Sequence, residues 1–360
     1  MSATRIDEVR AQLATVEDPD LHRDLVTLGM IEDLEVVGDR VSFTLVLTTS
    51  ACPLKAEIEA NCRTAVRRLT WVSELDMKTT SRVRKPRDPS ADRKSLEGVA
   101  NVLAIGSGKG GVGKSTVACN LAVALAATGA KVGLLDGDIY GPNLPRMLGV
   151  RRQPSQRDGK ILPVDAWGLK FMSMGLLVEQ GEAVVWRGPM LHGAVKSFLH
   201  DVDWGELDYL LVDLPPGTGD VQLSLIQQTF VAGAVVVTTP SAVAIEDAVK
   251  AVSMFGKLQV PVLGVIENMS YFMCPDCNHR HNIFSSGDAE TRAREMSLEF
   301  LGAIPLHPQV RVGGDEGRPV VADQPTTDYA RAFSTIAGKL AQRVSIMTAA
   351  AAVAAPAGTP

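Results

Sequence analysis

The feature that constrains this chain most is a glycine-rich stretch. It runs Gly108-Lys109-Gly110-Gly111-Val112-Gly113-Lys114-Ser115-Thr116 and fits the pattern Gly-x-x-x-x-Gly-Lys-[Ser/Thr] of a phosphate-binding P-loop. Residues 102–105 before it are apolar and predict a buried strand, and residues 116–127 after it predict a helix that ends at Gly129. A strand, a glycine-rich loop and a helix in this order are the context in which the motif binds nucleotides. We therefore expect a nucleotide site here.

The chemistry of phosphate binding explains these residue types and their spacing. Glycines let successive backbone N–H groups turn towards phosphate oxygens without a Cβ in the way. The N-terminus of the following helix adds a partial positive charge. We expect the ammonium group of Lys114 to reach the β- and γ-phosphates of ATP and the hydroxyl of Ser115 to bind Mg²⁺.

Composition and charge narrow the possible functions. The chain has 360 residues, enough for two or three domains, and its net charge is −5, so we expect no nucleic-acid partner. Residues 1–15 lack the apolar core of a signal peptide, and no apolar run is long enough to cross a bilayer, so we expect no membrane partner. The five cysteines are too few and too scattered for a disulfide framework, which favours a reducing, cytoplasmic location.

Changes of pattern along the chain divide it into four parts. Residues 1–81 combine helical and strand patterns and predict a small α+β domain. Residues 82–97 are rich in Lys, Arg and Pro without apolar periodicity, which suits either a solvated hinge or a basic docking segment. Residues 98–345 alternate strands and helices, and residues 346–360 form a low-complexity tail that we expect to be disordered.

The alternating part predicts an α/β fold. Its apolar runs are short, aliphatic and separated by helical patterns, as in a doubly wound, mostly parallel sheet with helices on both faces. In such a sheet, ligands bind at the carboxyl ends of the strands. Besides the strand before the P-loop, the predicted strands are residues 131–136, 207–213, 234–238, 261–266 and 300–304.

One of these strands ends in an acidic residue, Asp213, which is followed by Leu-Pro-Pro-Gly. A carboxylate directly after an apolar strand is the Walker B arrangement, which places its oxygens near the Mg²⁺ ion of a bound nucleotide. The alternative is a simple Pro-Gly turn. Because the chain also has a P-loop, we expect Asp213 to belong to the nucleotide site.

A pair of cysteines, Cys274 and Cys277, follows the predicted strand of residues 261–266. Their spacing puts two thiolates on one loop, close enough to bind one metal centre. Two thiolates do not complete a four-ligand site, and His279 and His281 follow too closely for the usual Cys₂His₂ zinc geometry. A second copy across a two-fold axis would complete a [4Fe–4S] site. A structural zinc site and a redox dithiol stay open as alternatives.

Lys109 makes the P-loop unusual. The run from Lys109 to Thr116 resembles the deviant P-loop of the ATPase group that includes nitrogenase iron protein and the septum-site and partition ATPases. The resemblance implies a homodimer in which Lys109 reaches the partner's nucleotide; the alternative is a solvated lysine. It also implies that Asp136 and Asp138 form the first switch, where one carboxylate orients the attacking water and the other acts on Mg²⁺ through water. The sequence does not decide between them, and we favour Asp138 for the water; the alternative is that both carboxylates cap the following turn.

The same resemblance extends to Asn268, which matches the segment whose asparagine contacts the adenine edge. The expected catalytic residues are Lys109, Lys114, Asp136 and Asp138. The expected nucleotide-binding residues are Gly108, Lys109, Gly110, Gly111, Val112, Gly113, Lys114, Ser115, Thr116, Asp213 and Asn268.

Together, these motifs resemble the Mrp/ApbC family of iron–sulfur carrier ATPases over about residues 98–340. The N-terminal part, with Asp18-Pro19-Asp20 and Cys52, resembles a small domain of iron–sulfur assembly factors. The resemblance implies an ATP-hydrolysing homodimer that holds a [4Fe–4S] cluster, with cluster donors and apo iron–sulfur proteins as partners. Cys52 precedes a predicted helix start, so either its thiol pKa is lowered or it is a small buried residue.

Two other functions fit parts of the sequence. A partition- or septum-type ATPase that positions cargo has the same deviant P-loop. Such proteins need a membrane-binding helix or a basic DNA-binding face, and the sequence shows neither. A zinc-stapled nucleotide switch would use the same two cysteines. The cysteine pair favours the carrier over the positioning ATPase.

Overall fold

The computed structural model of this chain describes residues 2–86, 95–139, 141–177, 188–217, 219–284 and 288–354. It divides into two compact units, residues 1–87 with 341–360, and residues 88–340. Residues 87–94 of the predicted linker and 355–360 of the predicted tail lie outside the described residues.

The N-terminal unit is a small α+β domain. Its elements are α1 (Ser2–Leu13), β1 (Glu17–Asp18), β2 (Arg23–Asp24), β3 (Ile31–Val37), β4 (Arg40–Leu47), α2 (Lys55–Val66) and β5 (Glu74–Ser81). The sheet order is β3-β4-β5, with β3 antiparallel and β5 parallel to β4. Gly38, at φ +66°, makes the turn between β3 and β4. Phe43 and Leu45 of β4 share one apolar core with Leu13 of α1 and Ile58 of α2.

The second unit contains one large sheet and the helices that pack on it. Its first half comprises β6 (Val99–Gly106), α3 (Lys114–Ala127), β7 (Val132–Asp136), α4 (Leu144–Met147), β8 (Gln156–Arg157), β9 (Lys160–Ile161), β10 (Val164–Ala166), β11 (Leu169–Ser173) and α5 (Gly188–His200). Its second half comprises β12 (Leu207–Asp213), α6 (Asp220–Gln228), β13 (Gly233–Thr238), α7 (Ala242–Lys257), β14 (Val262–Glu267), β15 (Phe272–Met273), β16 (Arg280–His281), α8 (Asp288–Glu295), β17 (Phe300–Ala303), α9 (Pro308–Glu316), α10 (Val320–Asp323) and the first part of α11 (Asp328–Ala354).

Eight strands form the main sheet in the order β10-β11-β7-β12-β6-β13-β14-β17. All neighbouring pairs are parallel except β10 and β11 at one edge. The five residues of β7 and the six of β13 are all buried, as expected of inner strands that helices cover. The predicted fold class is confirmed: a doubly wound, mostly parallel α/β sheet preceded by a small α+β domain.

The register of the central strands aligns their polar ends. Asp213, the last residue of β12, pairs with Asp136 at the end of β7 and with Ile105 of β6, the strand that leads into the P-loop. Asp136 pairs on its other side with Ser173 at the end of β11. The strand ends that carry the predicted site therefore meet where the parallel strands have their carboxyl ends.

The sequence interpretation missed the hairpin of β10 and β11. Trp167 and Gly168 form its turn, and both have positive φ angles, +52° and +78°. Lys170 interrupts the apolar run of β11, which hides the strand in the sequence, although Phe171 and the residues after it are buried.

The C-terminal end also differs from expectation. We expected a disordered tail from residue 346, but α11 continues to Ala354, and its residues from Ala341 onward group with the N-terminal unit. Alanine has the highest helix propensity, so an alanine-rich sequence extends a helix that has already formed. None of the described helices is long and apolar enough to span a membrane.

Candidate functional site

The P-loop connects β6 to α3, as the motif predicts. Gly111 and Gly113 have φ angles of +83° and +78°, a region that side chains with a Cβ avoid. A Cβ on Gly108 would come 2.0 Å from the carbonyl oxygen of Asp247, and one on Gly113 would come 2.2 Å from Nδ2 of Asn268. Both the backbone conformation and the close contacts therefore require glycine in this loop.

A buried ion pair lies beside the loop. Nζ of Lys114 is 2.6 Å from Oδ1 of Asp213, and the two side chains are 6% and 0% exposed. Nζ of Lys114 is also 3.4 Å from Oγ of Ser115. Burial raises the pKa of Asp213, and the Lys114 ammonium opposes this shift. Within the described residues, Oδ2 of Asp213 has no hydrogen-bond donor, so one buried carboxylate oxygen remains for a cation.

Asp136 and Asp138 have different environments. Asp136 is buried, and its oxygens accept hydrogen bonds from Oγ of Ser173 at 3.0 Å and from the N–H groups of Asp138 and Leu144 at 3.2 and 3.4 Å. Burial, with the nearby Asp213 carboxyl, raises the pKa of Asp136 to about 8. Asp138 is only partly buried and accepts from the N–H of Gly141 at 3.2 Å. Asp136 is thus part of the packed strand end, while Asp138 is accessible to water.

Asn268 lies against the P-loop from the next strands of the sheet. Its Nδ2 donates to the carbonyl oxygen of Val112 at 2.9 Å, and its backbone N–H donates to Thr238 at 2.8 Å. Because the side chain is 5% exposed, these bonds hold it firmly against the loop. The predicted nucleotide-binding residues Asn268, Asp213 and Lys114 are therefore brought together at one edge of the sheet.

The two cysteines lie on a short hairpin formed by β15 and β16. The N–H of Cys274 donates to the carbonyl oxygen of His279 at 3.0 Å, and the N–H of Asn278 donates to that of Cys274 at 2.9 Å. Cys274 is partly buried, and Cys277 is exposed. Hydrogen bonds from the N–H groups of Cys277 and Asp276, and from the Cys277 side chain, lower the pKa of the Cys274 thiol. The hairpin thus favours the thiolate form of Cys274, which is the form of cysteine that binds metals.

The hairpin alone provides two thiols. The rings of His279 and His281 stack edge to face with centroids 4.8 Å apart. Among the residues that the structure describes, no group of three or more His, Cys, Asp or Glu side chains is arranged to hold a metal ion.

The remaining cysteines have thiols that resist ionisation. Burial raises the pKa of Cys62 to about 11 and that of Cys119 to about 12. Burial also raises the pKa of Cys52, and the carboxylates of Asp20 and Asp18 add to the effect. A lowered pKa at Cys52, one of our two expectations for this residue, is therefore wrong, because burial of the thiol outweighs the N–H donors of Leu54 and Lys55 at the helix start.

Comparison with known families identifies the larger unit. A family model described as a NUBPL iron-transfer P-loop NTPase matches residues 98–341. The chain belongs to this family. A second model, described as an iron–sulfur cluster assembly protein, matches residues 6–76. The resemblance to iron–sulfur carrier ATPases and to iron–sulfur assembly factors is confirmed, and the second unit is a P-loop NTPase.

Two curated relatives of this NUBPL-type NTPase match 94% and 70% of the chain. An iron–sulfur cluster carrier protein of Synechocystis sp. is 49% identical over 94% of this chain and 98% of its own length. The iron–sulfur cluster transfer protein NUBPL of Mus musculus is 48% identical over 70% of this chain and 80% of its own length.

Solved structures resemble the NTPase unit. A nucleotide-binding protein from Archaeoglobus fulgidus in complex with ADP aligns with a TM-score of 0.56 and 38% identity, over 65% of this chain and 91% of that one. The septum site-determining protein MinD from Pyrococcus horikoshii, complexed with Mg-ADP, aligns with a TM-score of 0.51 and 26% identity, over 66% of this chain and 94% of that one.

Sequence reasoning gave no role to two polar residues of the NTPase unit. Ser173 binds Asp136 and lies on the strand that was missed, so no sequence signal marked it. Glu267 is a buried carboxylate at the end of β14. An acidic residue after an apolar strand was the signal that identified Asp213, and the same signal marks Glu267.

The thiol environments predict an order of reactivity. At neutral pH, iodoacetamide should alkylate Cys274 many times faster than Cys62 or Cys119, because N–H donors favour the Cys274 thiolate while burial disfavours the other two. Timed alkylation followed by peptide mass spectrometry measures the three rates. If Cys119 in the folded protein were alkylated as fast as Cys274, the predicted order of reactivity would be contradicted.

Proposed function

We propose that this NTPase is an iron–sulfur cluster carrier. Two copies hold one [4Fe–4S] cluster between their Cys274 and Cys277 thiolates, and ATP hydrolysis accompanies its loading or its transfer to apo iron–sulfur proteins. The observation that carries the proposal is the cysteine hairpin, which presents one partly buried and one exposed thiol on the same unit as the P-loop. Relatives that are 49% identical over nearly the whole chain are named as carriers, which supports it.

The number of thiolates that a [4Fe–4S] cluster needs is the reason for proposing a homodimer. A [4Fe–4S] cluster is held by four thiolates, and the hairpin of one chain supplies two. A second copy related by two-fold symmetry supplies the other two without any further ligand. An exposed Cys277 suits this arrangement, because a shared cluster must lie at the surface of each copy.

The nucleotide chemistry uses residues that the fold has already assembled. Lys114, which lies 2.6 Å from Asp213, would neutralise phosphate oxygens, and the P-loop N–H groups would bind the remaining phosphate charge. The Ser115 hydroxyl and the Asp213 carboxylate are oxygen ligands of the kind that Mg²⁺ prefers, and they would hold this ion, which supplies charge neutralisation at the phosphates.

Two further assignments concern the attacking water and the adenine base of ATP. Asp138 is the residue that we assign to the attacking water, because it is accessible while Asp136 is enclosed by hydrogen bonds and has a raised pKa. Asn268 is assigned to the adenine edge, since its amide has a second N–H and a carbonyl oxygen besides the N–H that it donates to Val112.

The cysteine variants test the carrier directly. After anaerobic reconstitution, Cys274→Ala and Cys277→Ala should each lose stable iron binding, because each leaves a dimer with two thiolates instead of four. Cys62→Ala is the matched control and should keep the wild-type content of about one cluster per two chains. Iron, sulfide and zinc per chain are quantified together. Full iron in Cys277→Ala, or zinc at one per chain in the wild type, would refute the carrier.

Mixing experiments test whether Lys109 acts in the partner's site. Lys114→Gln keeps an N–H donor for buried Asp213 but removes the charge, and it should abolish Mg²⁺-dependent ATP hydrolysis. Lys109→Ala should also be inactive. Random mixing makes half of the dimers mixed, each with one competent site, so about a quarter of wild-type turnover should return. No recovery, with dimer exchange verified by mass, would show that Lys109 acts only within its own chain.

A further inference from the structure

A single buried carboxylate accepts hydrogen bonds from the chain on both sides of the cysteine hairpin. Glu267, the last residue of β14, is 1% exposed. Its Oε1 accepts a hydrogen bond from Oγ of Ser270 at 2.5 Å, and its Oε2 accepts one from the backbone N–H of Ala289 at 3.2 Å. A buried carboxylate is stable only with such donors, so both contacts are structurally important.

The two donors flank the cysteine hairpin. Ser270 lies just before β15, where the chain leaves the sheet, and Ala289 lies in the first turn of α8, where it returns. The hairpin with Cys274 and Cys277 lies between them. The outgoing limb is also fixed through its backbone: the N–H of Ser270 donates to Ile304 at 2.9 Å. Glu267 therefore joins Ser270, where the chain leaves the sheet, to Ala289, where the chain returns to it.

The residue next to Glu267 holds the nucleotide loop. Asn268 donates to the carbonyl oxygen of Val112 at 2.9 Å, and its Nδ2 lies only 2.2 Å from the position that a Cβ on Gly113 would take. Consecutive side chains at one strand end thus contact the P-loop and the base of the cysteine hairpin. Asn268 therefore connects the P-loop to the backbone that carries Glu267.

We propose that Glu267 is a positioning residue that fixes the cysteine hairpin and links it to the nucleotide loop. Its place in the cluster chemistry rests on the proposed function, but its role in positioning the hairpin does not. With Glu267 in place, the thiol pair is held in one arrangement, and nucleotide at the P-loop alters the stability of the hairpin.

The test is hydrogen exchange on the full-length, metal-free protein. Glu267→Gln keeps the side-chain shape but removes the charge and one acceptor. Glu295→Gln is the matched control, because it makes the same substitution at an exposed position of α8. Ser270→Ala removes one donor only and guards against misfolding of the first variant. Exchange is followed at the hairpin, residues 271–284, and at α3, with and without a non-hydrolysable ATP analogue and Mg²⁺.

We expect Glu267→Gln to raise exchange in the hairpin roughly tenfold, the effect of losing a hydrogen bond to a buried charge. Exchange in α3 and affinity for the analogue should stay near wild type, and Ser270→Ala should give a smaller increase. The analogue should alter hairpin exchange in the wild type and in Glu295→Gln but not in Glu267→Gln.

Three results would overturn the proposal. The first is unchanged hairpin exchange in both Glu267→Gln and Ser270→Ala. The second is an increase spread equally over α3, which would make Glu267 a general stabilising residue. The third is a response to the analogue that is absent in the wild type or preserved in Glu267→Gln. None of these readouts uses iron, so they stand even if the wild type proves to bind no cluster.

Discussion

The buried ion pair between Lys114 and Asp213 is the interaction around which this NTPase is arranged. Removing two charges from water costs several kcal/mol per ion, and a buried pair offsets this only with close geometry, here 2.6 Å. That geometry requires β6 and β12 to be neighbours in register, so that the first helical residue after the P-loop meets the last residue of β12. An apolar pair of similar volume is often at least as stable, so the burial of two charges here fits the nucleotide role that we propose for them.

The same sheet edge explains how two sites share one unit. On one side of β6, the ends of β7, β11 and β12 bring Asp136, Ser173 and Asp213 together. On the other side, β13 and β14 place Thr238 beside Glu267, from which the chain leaves the sheet to form the cysteine hairpin. The proposed hydrolysis site and the proposed metal site thus begin from strands that flank one loop, and Asn268 contacts that loop directly.

The sequence predicted what depends on local pattern. The P-loop, the inner aliphatic strands and the acids that end them follow from short-range chemistry, and the structure has them where expected. Strand β11 was missed because Lys170 breaks its apolar run, and its pairing with β7 is a long-range effect. The raised pKa of Cys52 comes first from burial of its thiol and then from the nearby Asp20 and Asp18, and only folding brings these about. Likewise, no local pattern shows that Glu267 binds both Ser270 and Ala289.

In the proposed carrier, two copies of this chain share one cluster through Cys274 and Cys277 of each copy. Native mass spectrometry of the anaerobically reconstituted wild-type protein tests it most directly, because it reports subunit number and cluster composition on the same particle. We predict a dimer whose mass exceeds that of two metal-free chains by one cluster of four iron and four sulfide ions. Metal-free protein in the same sample should lack this added mass. A cluster on the monomer, or a dimer with one zinc ion per chain, would contradict the claim.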